Sequence, residues 1–292
     1  MDSSTIDAER SHAALNWAPR DDKGAVPMKK YALATLLVLA GLVLPAGNAA
    51  AAGWQTIFYD NFVTSAPKSQ FPGSVYGAKW RAWNTDRDGF GDIHDIAKYD
   101  ATKTISVANG YLTIDLHTDS LGQAYSAAIM PQLKGGHVSQ RYGRWVMKWK
   151  AVPYGAGAKG WGWASLLWPD SNAWGDGELD WPEIYGGTSP NVLGYNHCVT
   201  ATGRQASEKC GINVNTFQPW LNTWHQTSVS WSPNKLGLSM DGKQYATANG
   251  VNVPTAVLHQ VIQSGTASWT APCPSCAVKI NIDFVRIDRY VP

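Results

Sequence analysis

Residues 177–186, GELDWPEIYG, place three carboxylates in a run that otherwise has the pattern of a β-strand. Glu178 and Asp180 are two residues apart and share one face of a strand, whereas Glu183, an odd number of residues further on, would face the other way. One extra residue bulging out near Pro182 shifts the alternation by one, and proline is tolerated at a bulge because it cannot donate to the ladder. The stretch therefore predicts a bulged strand with all three acids on one face.

The rest of the chain alternates between apolar and polar residues with the same period of two. The pattern is clearest in residues 112–117, 145–150 and 278–283. Asn109-Gly110 and Asp241-Gly242 supply the positive backbone angles that tight hairpins need, and no long helical pattern interrupts them. We predict an all-β fold, an antiparallel β-sandwich, which forms one domain over residues 52–292.

The first fifty residues are expected to lie outside that domain. Residues 1–27 are polar and patternless, and we predict an unstructured extension. Residues 28–51 have the basic, apolar and small-residue segments of a secretory signal peptide. The alternative, a permanent membrane anchor, is disfavoured because the apolar run falls short of the roughly 20 residues that cross a bilayer. We therefore expect a secreted protein with no stable membrane association after cleavage.

Charge and composition narrow the class of partner. The 292 residues are 44% hydrophobic and 16% charged, which is typical of a globular protein. Residues 1–50 contain equal numbers of basic and acidic residues, so the net charge of the remainder stays at +2. Proteins that bind nucleic acid concentrate basic charge to neutralise phosphates. We therefore expect no nucleic-acid partner and a neutral substrate.

All four cysteines lie in the part predicted to be exported, where disulfides persist. Pairing of near neighbours would join Cys198 to Cys210 and Cys273 to Cys276. A four-cysteine zinc site is the alternative, but only one of the two pairs has zinc-like spacing. The sequence therefore predicts two small disulfide loops and no metal at these residues.

Three acids on one strand face suit one kind of chemistry in particular. A retaining glycosidase uses two carboxyls about 5 Å apart, one as nucleophile and one as acid/base. A third carboxyl between them can help to separate their pKa values. The alternative is a solvated strand face that carries three charges, and spacing alone does not decide between the two.

A family resemblance favours the enzyme. GELDWPEIYGGTS resembles the active-site motif of glycoside hydrolase family 16. Residues 224–243 are similar to a later hairpin of that family, and residues 142–150 and 282–291 to its mid-chain and C-terminal strands. The resemblance implies a jelly roll with a substrate cleft across its concave sheet. It also implies a catalytic role for each acid: Glu178 as nucleophile, Asp180 as its assisting acid and Glu183 as general acid/base.

Candidate substrate-binding residues come from aromatic content and from the resemblance. Indole rings stack on the apolar faces of sugars, and the chain has 15 tryptophans. Strand alternation places Trp145 and Trp149 in the core. Lys148 stands where the family usually carries arginine, and Gln260 where it tends to carry asparagine. We predict that substrate contacts Lys148, Trp163, Trp168, Trp174, His197 and Gln260.

The resulting hypothesis is a monomeric, secreted, endo-acting hydrolase of β-1,3- or mixed-linked β-glucan. A transglycosylase or galactan hydrolase of the same family is one alternative, and a non-catalytic carbohydrate-binding sandwich is another. Catalysis by two carboxylates needs no cofactor or metal. DRDGFGD at residues 86–92 lacks the spacing of an EF-hand and is interpreted as a turn. The resemblance allows a structural Ca²⁺ away from the cleft, with Asp283 as a ligand.

Overall fold

The computed structural model describes residues 53–133, 136–186, 190–199 and 205–292. The predicted extension (1–27) and signal peptide (28–51) lie outside these ranges and stay predictions. No helix within the described ranges is long and apolar enough to cross a membrane.

Strands dominate the described chain. Three one-turn helices, α1 (Gly73–Tyr76), α2 (Thr85–Asp88) and α3 (Ala101–Thr104), and two 3-10 turns, Trp174–Asp176 and Gly250–Asn252, accompany them. The strands are β1 (Gly53–Asp60), β2 (Trp80–Ala82), β3 (Lys98–Tyr99), β4 (Ile105–Ala108), β5 (Tyr111–Thr118), β6 (Ala124–Ser126), β7 (Ala128–Leu133), β8 (Gly136–His137), β9 (Ser139–Gln140), β10 (Gly143–Gly155), β11 (Trp161–Pro169), β12 (Glu178–Ile184), β13 (Asn191–Val199), β14 (Gln205–Phe217), β15 (His225–Ser232), β16 (Lys235–Met240), β17 (Lys243–Asn249), β18 (Leu258–Thr266) and β19 (Cys276–Val291).

Two sheets form the sandwich. The first has the order β17-β16-β15-β10-β19-β5-β6-β3, with β1 on β19 and β4 on β5. The second has the order β14-β13-β12-β11-β18-β7-β2, with β8 on β7 and β9 on β18. Strand pairs are antiparallel apart from β3 with β6. The predicted all-β, jelly-roll sandwich is confirmed.

The main core lies between the two sheets and is rich in indole rings. Trp145 and Trp149 of β10 are buried in it, as their alternation predicts. Trp149 meets Trp163 of the second sheet edge to face, with ring centroids 4.6 Å apart. Leu179 and Trp181 of β12 belong to the same cluster. The apolar face of β12 therefore packs against the first sheet, and the opposite face of the strand points outward.

The cysteines behave as disulfide residues. Cys273 and Cys276 form a bond of 2.06 Å, and Cys210 is also disulfide-bonded. The alternative of a four-cysteine zinc site is therefore wrong, because oxidised sulfurs are not thiolate ligands. The side chain of Cys198 lies outside the described residues, so its pairing with Cys210 stays a prediction.

Protein donors hold the acidic turn at 86–92. Asp92 accepts hydrogen bonds from the backbone of Ile96 and Ala97, and its other oxygen accepts from the backbone and hydroxyl of Thr266. Asp86 forms an ion pair with Lys98. These contacts tie the segment between β2 and β3 to the end of β18. The binding of Ca²⁺ elsewhere in the chain stays a prediction.

Candidate active site

Strand β12 contains the predicted bulge. Asp180 pairs with Leu166 and Glu183 with Ala164 of β11, so two residues of β12 stand opposite one residue of β11. The register against β13 shifts over the same interval. Residues 181–182 therefore form the extra step that resets the alternation, and the bulge expected there is confirmed.

The bulge separates the strand into an apolar face and an acidic face. Core packing holds Leu179, Trp181 and Ile184 between the sheets. The three carboxylates occupy the other face of the second sheet. If the same residues formed a regular strand without the bulge, Glu183 would point into the core, where an unpaired carboxylate costs several kcal/mol. The sequence thus places the three acids together through local geometry.

Glu178 and Asp180 have defined partners. The 3-10 turn before β12 brings Trp174 over Glu178, and the indole Nε1 donates to Oε2 at 2.6 Å. On the neighbouring strand, His197 pairs directly with Glu178, and its Nε2 lies 3.0 Å from Asp180 Oδ2. Polar atoms of Glu178, Asp180 and His197 lie within 4.8 Å of one another. His197 therefore lies beside the acids, and its contact with substrate stays a prediction.

The electrostatics of Glu178 follow from this crowding. Burial raises the pKa of its carboxyl to about 8, and the negative charges of Asp180 and Glu183 act in the same direction. The charge of His197 and the hydrogen bond from Trp174 oppose the increase. With a pKa of about 8, Glu178 is largely protonated at neutral pH, mainly because it is buried, and the charges of Asp180 and His197 shift its ionisation in opposite directions.

Glu183 lies beside a pocket at the other end of the strand. Its side chain is buried, at 8% exposure. The pocket, about 30 Å³, is also lined by Ile93, Tyr99 and Gln263. A space of that size holds a water molecule or a single polar group, so the Glu183 carboxyl is placed to meet one small polar group there.

Two predicted substrate contacts lie on the wrong face of the second sheet. Trp163 pairs with Ile184 and packs against Trp149, so its ring belongs to the core between the sheets. Gln260 is 2% exposed, and its amide donates to Ser165 Oγ at 2.9 Å within the same core. The prediction that Trp163 and Gln260 contact substrate is therefore wrong.

Lys148 is also misplaced by the sequence reasoning. It belongs to β10 of the first sheet, and its neighbours in sequence, Met147 and Trp149, face the core. Its Nζ lies 2.8 Å from Asp283 and 5.4 Å from the centre of the Trp224 ring. Lys148 therefore points away from the second sheet, and its predicted contact with substrate is wrong.

Trp168 and Trp174 lie on the acidic face, but other side chains cover them. They are 2% and 5% exposed and belong to a second apolar cluster. The other members are Trp83, Tyr99, Ala128, Met130, Leu166 and Val261, with Phe90 packed against them. Trp168 and Trp174 therefore form a packed floor beside the acids, and their contact with sugar stays a prediction.

The sequence reasoning missed the aromatic residues Trp83, Phe90 and Tyr99. Trp83 and Tyr99 lie on either side of the acidic turn at 86–92, and Phe90 lies within it. From the sequence this segment was interpreted only as a turn. The ties from Asp92 to Thr266 hold this segment across the end of the second sheet. The available signal was the presence of aromatic residues on both sides of a polar loop, because large apolar rings usually pack against another part of the protein.

Several solved structures of glucanases have a similar architecture. The laminarinase from Rhodothermus marinus is 18% identical, with a TM-score of 0.62 over 83% of this chain and 100% of that one. The catalytic domain of an endo-1,3-β-glucanase (laminarinase) from Thermotoga petrophila is 17% identical, with a TM-score of 0.61 over 81% and 98%. LamA from Z. galactanivorans, solved with laminaritriose and laminaritetraose, is 17% identical, with a TM-score of 0.59 over 80% and 99%. At these identities the likeness shows the fold.

Sequence comparison identifies the family. No curated protein matches the chain in sequence. Residues 97–270, more than half of the chain, match glycosyl hydrolases family 16. That match spans the bulged strand with its three acids, the floor of the acidic face and β18. The chain belongs to glycosyl hydrolase family 16.

Proposed function

We propose that this glycoside hydrolase is a secreted, endo-acting hydrolase of β-1,3- or mixed-linked β-glucan that retains the configuration at the anomeric carbon. The observation that carries the proposal is the bulged strand β12, which turns Glu178, Asp180 and Glu183 to one face. The likeness to laminarinases supports a β-glucan as the substrate.

The first chemical step forms a covalent intermediate. Ionised Glu178 attacks the anomeric carbon, and the bond from that carbon to the leaving oxygen breaks. Glu183 donates its proton to that oxygen, so the shortened glucan leaves as an alcohol. Trp174 holds Oε2 of Glu178 by a 2.6 Å hydrogen bond and so orients the carboxylate.

The second step returns the enzyme to its starting state. Glu183, now a carboxylate, takes a proton from water, and the oxygen of that water attacks the anomeric carbon. The ester bond to Glu178 breaks, and Glu178 leaves as a carboxylate. Two inversions at one carbon give net retention, so the product keeps the β configuration.

Asp180 and His197 adjust the ionisation of Glu178, whose pKa is raised chiefly by burial. The 3.0 Å contact between them brings a group that can carry positive charge next to two carboxyls. Positive charge on His197 lowers the pKa of Glu178, while Asp180 raises it. The pair therefore acts as a positioning and tuning unit for the nucleophile.

Product analysis with two conservative variants tests this proposal. Wild-type protein, Glu178→Gln and Glu183→Gln are incubated with laminarin, lichenan, agarose and galactan, and the products are sized. We expect internal cleavage of one or both β-glucans by the wild type and at least a thousandfold loss in each variant. NMR of the first products should show the β-anomer. Cleavage of agarose or galactan alone, an initial α-anomer, or an active variant would contradict the proposal.

A further inference from the structure

Three side chains outside the acid cluster converge at one edge of the same sheet. They are His137 of β8, Asp170, which directly follows β11, and His259 of β18. Asp170 Oδ1 lies 2.7 Å from His259 Nδ1 and 3.9 Å from His137 Nε2. One ligand atom from each residue lies within 4.8 Å of the other two. The hydrolysis proposed above uses none of these groups.

Sheet pairing holds the cluster in place. His259 pairs with Trp168 of β11 on one side and with Ser139 of β9 on the other. The backbone nitrogen of Asp170 donates to Val257 at 3.0 Å, which fixes the residue beside the start of β18. Ser139 Oγ donates to Asp170 Oδ1 at 3.0 Å. Two of the three groups are therefore positioned by backbone pairing before any ligand binds.

The donor set favours a particular class of ion. Two imidazole nitrogens and one carboxylate oxygen suit borderline divalent transition metals, whereas Ca²⁺ and Mg²⁺ prefer oxygen ligands throughout. Zn²⁺ binds such atoms at about 2.0–2.1 Å in a tetrahedron, which sets ligand atoms about 3.3 Å apart. The measured separations of 2.7 and 3.9 Å lie on either side of this value. Shifts of about 0.6 Å would bring these two separations to that value, and the ligand atoms of the two histidines lie within 4.8 Å of each other.

Exposure also suits metal entry. The side chain of His137 is 37% exposed and that of Asp170 is 30% exposed, whereas that of His259 is 7% exposed. The buried histidine provides a fixed ligand, and the two accessible groups can close on an ion that arrives from solvent. The rings of His137 and His259 already lie 4.4 Å apart.

We propose that His137, Asp170 and His259 bind one divalent transition metal ion of the Zn²⁺ class, with water in the fourth position. The ion would join β8, the end of β11 and β18. Leu167 pairs with Leu179, so Trp168 and Glu178 are cross-strand neighbours on the other face. The site is thus two strand spacings from the backbone of Glu178, about 10 Å. The bound ion would stabilise the strands at one end of the acidic face and would take no part in bond cleavage.

Calorimetric titration of untagged protein with ZnCl₂, in excess Ca²⁺ to saturate oxygen-rich sites, tests the proposal. We expect one Zn²⁺ per chain and a melting temperature that rises with Zn²⁺ and falls again on chelation. His137→Ala removes an exposed ligand and should weaken Zn²⁺ binding at least tenfold. Asp170→Asn should weaken it as well. His117→Ala is the matched control, because His117 lies on β5 of the other sheet.

Cobalt provides a second readout that does not depend on stability. Co²⁺ in a tetrahedral site of nitrogen and oxygen ligands gives visible absorption bands, which we expect for wild type and His117→Ala and not for His137→Ala. Absence of Zn²⁺ binding in the wild type would overturn the proposal. Equal binding by His137→Ala and wild type would overturn it too, because the ion would then lie elsewhere.

Discussion

Replacing Glu178 with glutamine should stabilise the protein at neutral pH while it removes the nucleophile. Burial and the charges of Asp180 and Glu183 raise the pKa of Glu178 from 4.5 to about 8. Between pH 4.5 and about pH 8, the folded state therefore keeps a proton that the unfolded state has lost. Stability that is fully present below pH 4.5 is lost as the pH rises toward 8. Glutamine has no charge to bury and accepts the same hydrogen bond from Trp174.

The size of the effect follows from the pKa difference. One pH unit corresponds to about 1.4 kcal/mol when one state holds a proton that the other has lost. Between pH 5 and pH 7 the integrated loss is roughly 2.5 kcal/mol. Part of the Glu178 side chain contacts solvent, which screens its charge, so we expect about 1 to 2 kcal/mol. For a domain of this size that equals roughly 2 to 8 °C in melting temperature.

Thermal unfolding of wild type and Glu178→Gln at pH 4, 5, 6 and 7 measures this difference. The two melting temperatures should nearly coincide at pH 4 and separate steadily above it, with the variant higher. Asp176→Asn is the control, because Asp176 is exposed two residues away and should follow the wild type. A variant that gains nothing between pH 5 and pH 7 would refute the argument that the site crowds this carboxyl.

Three further predictions test other parts of the site and the chain. Lys148→Ala should leave KM for β-glucan within twofold, because Lys148 lies on the other sheet, whereas His197→Ala should lower kcat/KM at least tenfold; the reverse pattern would contradict the site. Protein from an exporting host should begin between residues 50 and 53, as N-terminal sequencing can establish, and a start at Met1 would exclude signal cleavage. Cys198→Ser/Cys210→Ser should lower stability by roughly 2 to 3 kcal/mol in denaturant unfolding, because the predicted bridge closes a short loop, and unchanged stability would argue against that bridge.

The sequence predicted the catalytic strand well because its information is local. The acids, the apolar residues and Pro182 lie within seven consecutive positions. Only one alternation of the strand places every acid on the outer face and the apolar residues in the core. The errors lie on strands that are buried on both sides. All nine residues of β11 are buried, and eight of the nine residues of β18. Such strands lack alternation, so nothing local shows which of Trp163 and Trp168 faces the acids, or that Gln260 faces the core.

Long-range packing explains the remaining differences. Trp168 and Trp174 lose their exposure because the segment between β2 and β3 folds over them. The pairing of Asp92 with Thr266 that holds this segment joins residues 174 positions apart. Lys148 is a further example. Alternation predicts that its side chain points away from the core, but it does not show to which of the two sheets the strand belongs. Contacts of this kind depend on the fold as a whole and leave little trace in a window of ten residues.

Because of the bulge in β12, catalysis depends on whether the number of backbone steps from Asp180 to Glu183 is even or odd. Between Asp180 and Glu183 the number of residues and the bulge together decide whether the acid/base faces the cleft or the core. Deleting Pro182 would place the glutamate two residues after Asp180, so an unbulged strand would keep it on the acidic face, whereas inserting one residue beside the same bulge would turn it toward the core. This interval should therefore reject the insertion of a single residue and the loss of the buried indole of Trp181, whereas a deletion of Pro182 would remove the bulge and leave the acid/base on its face.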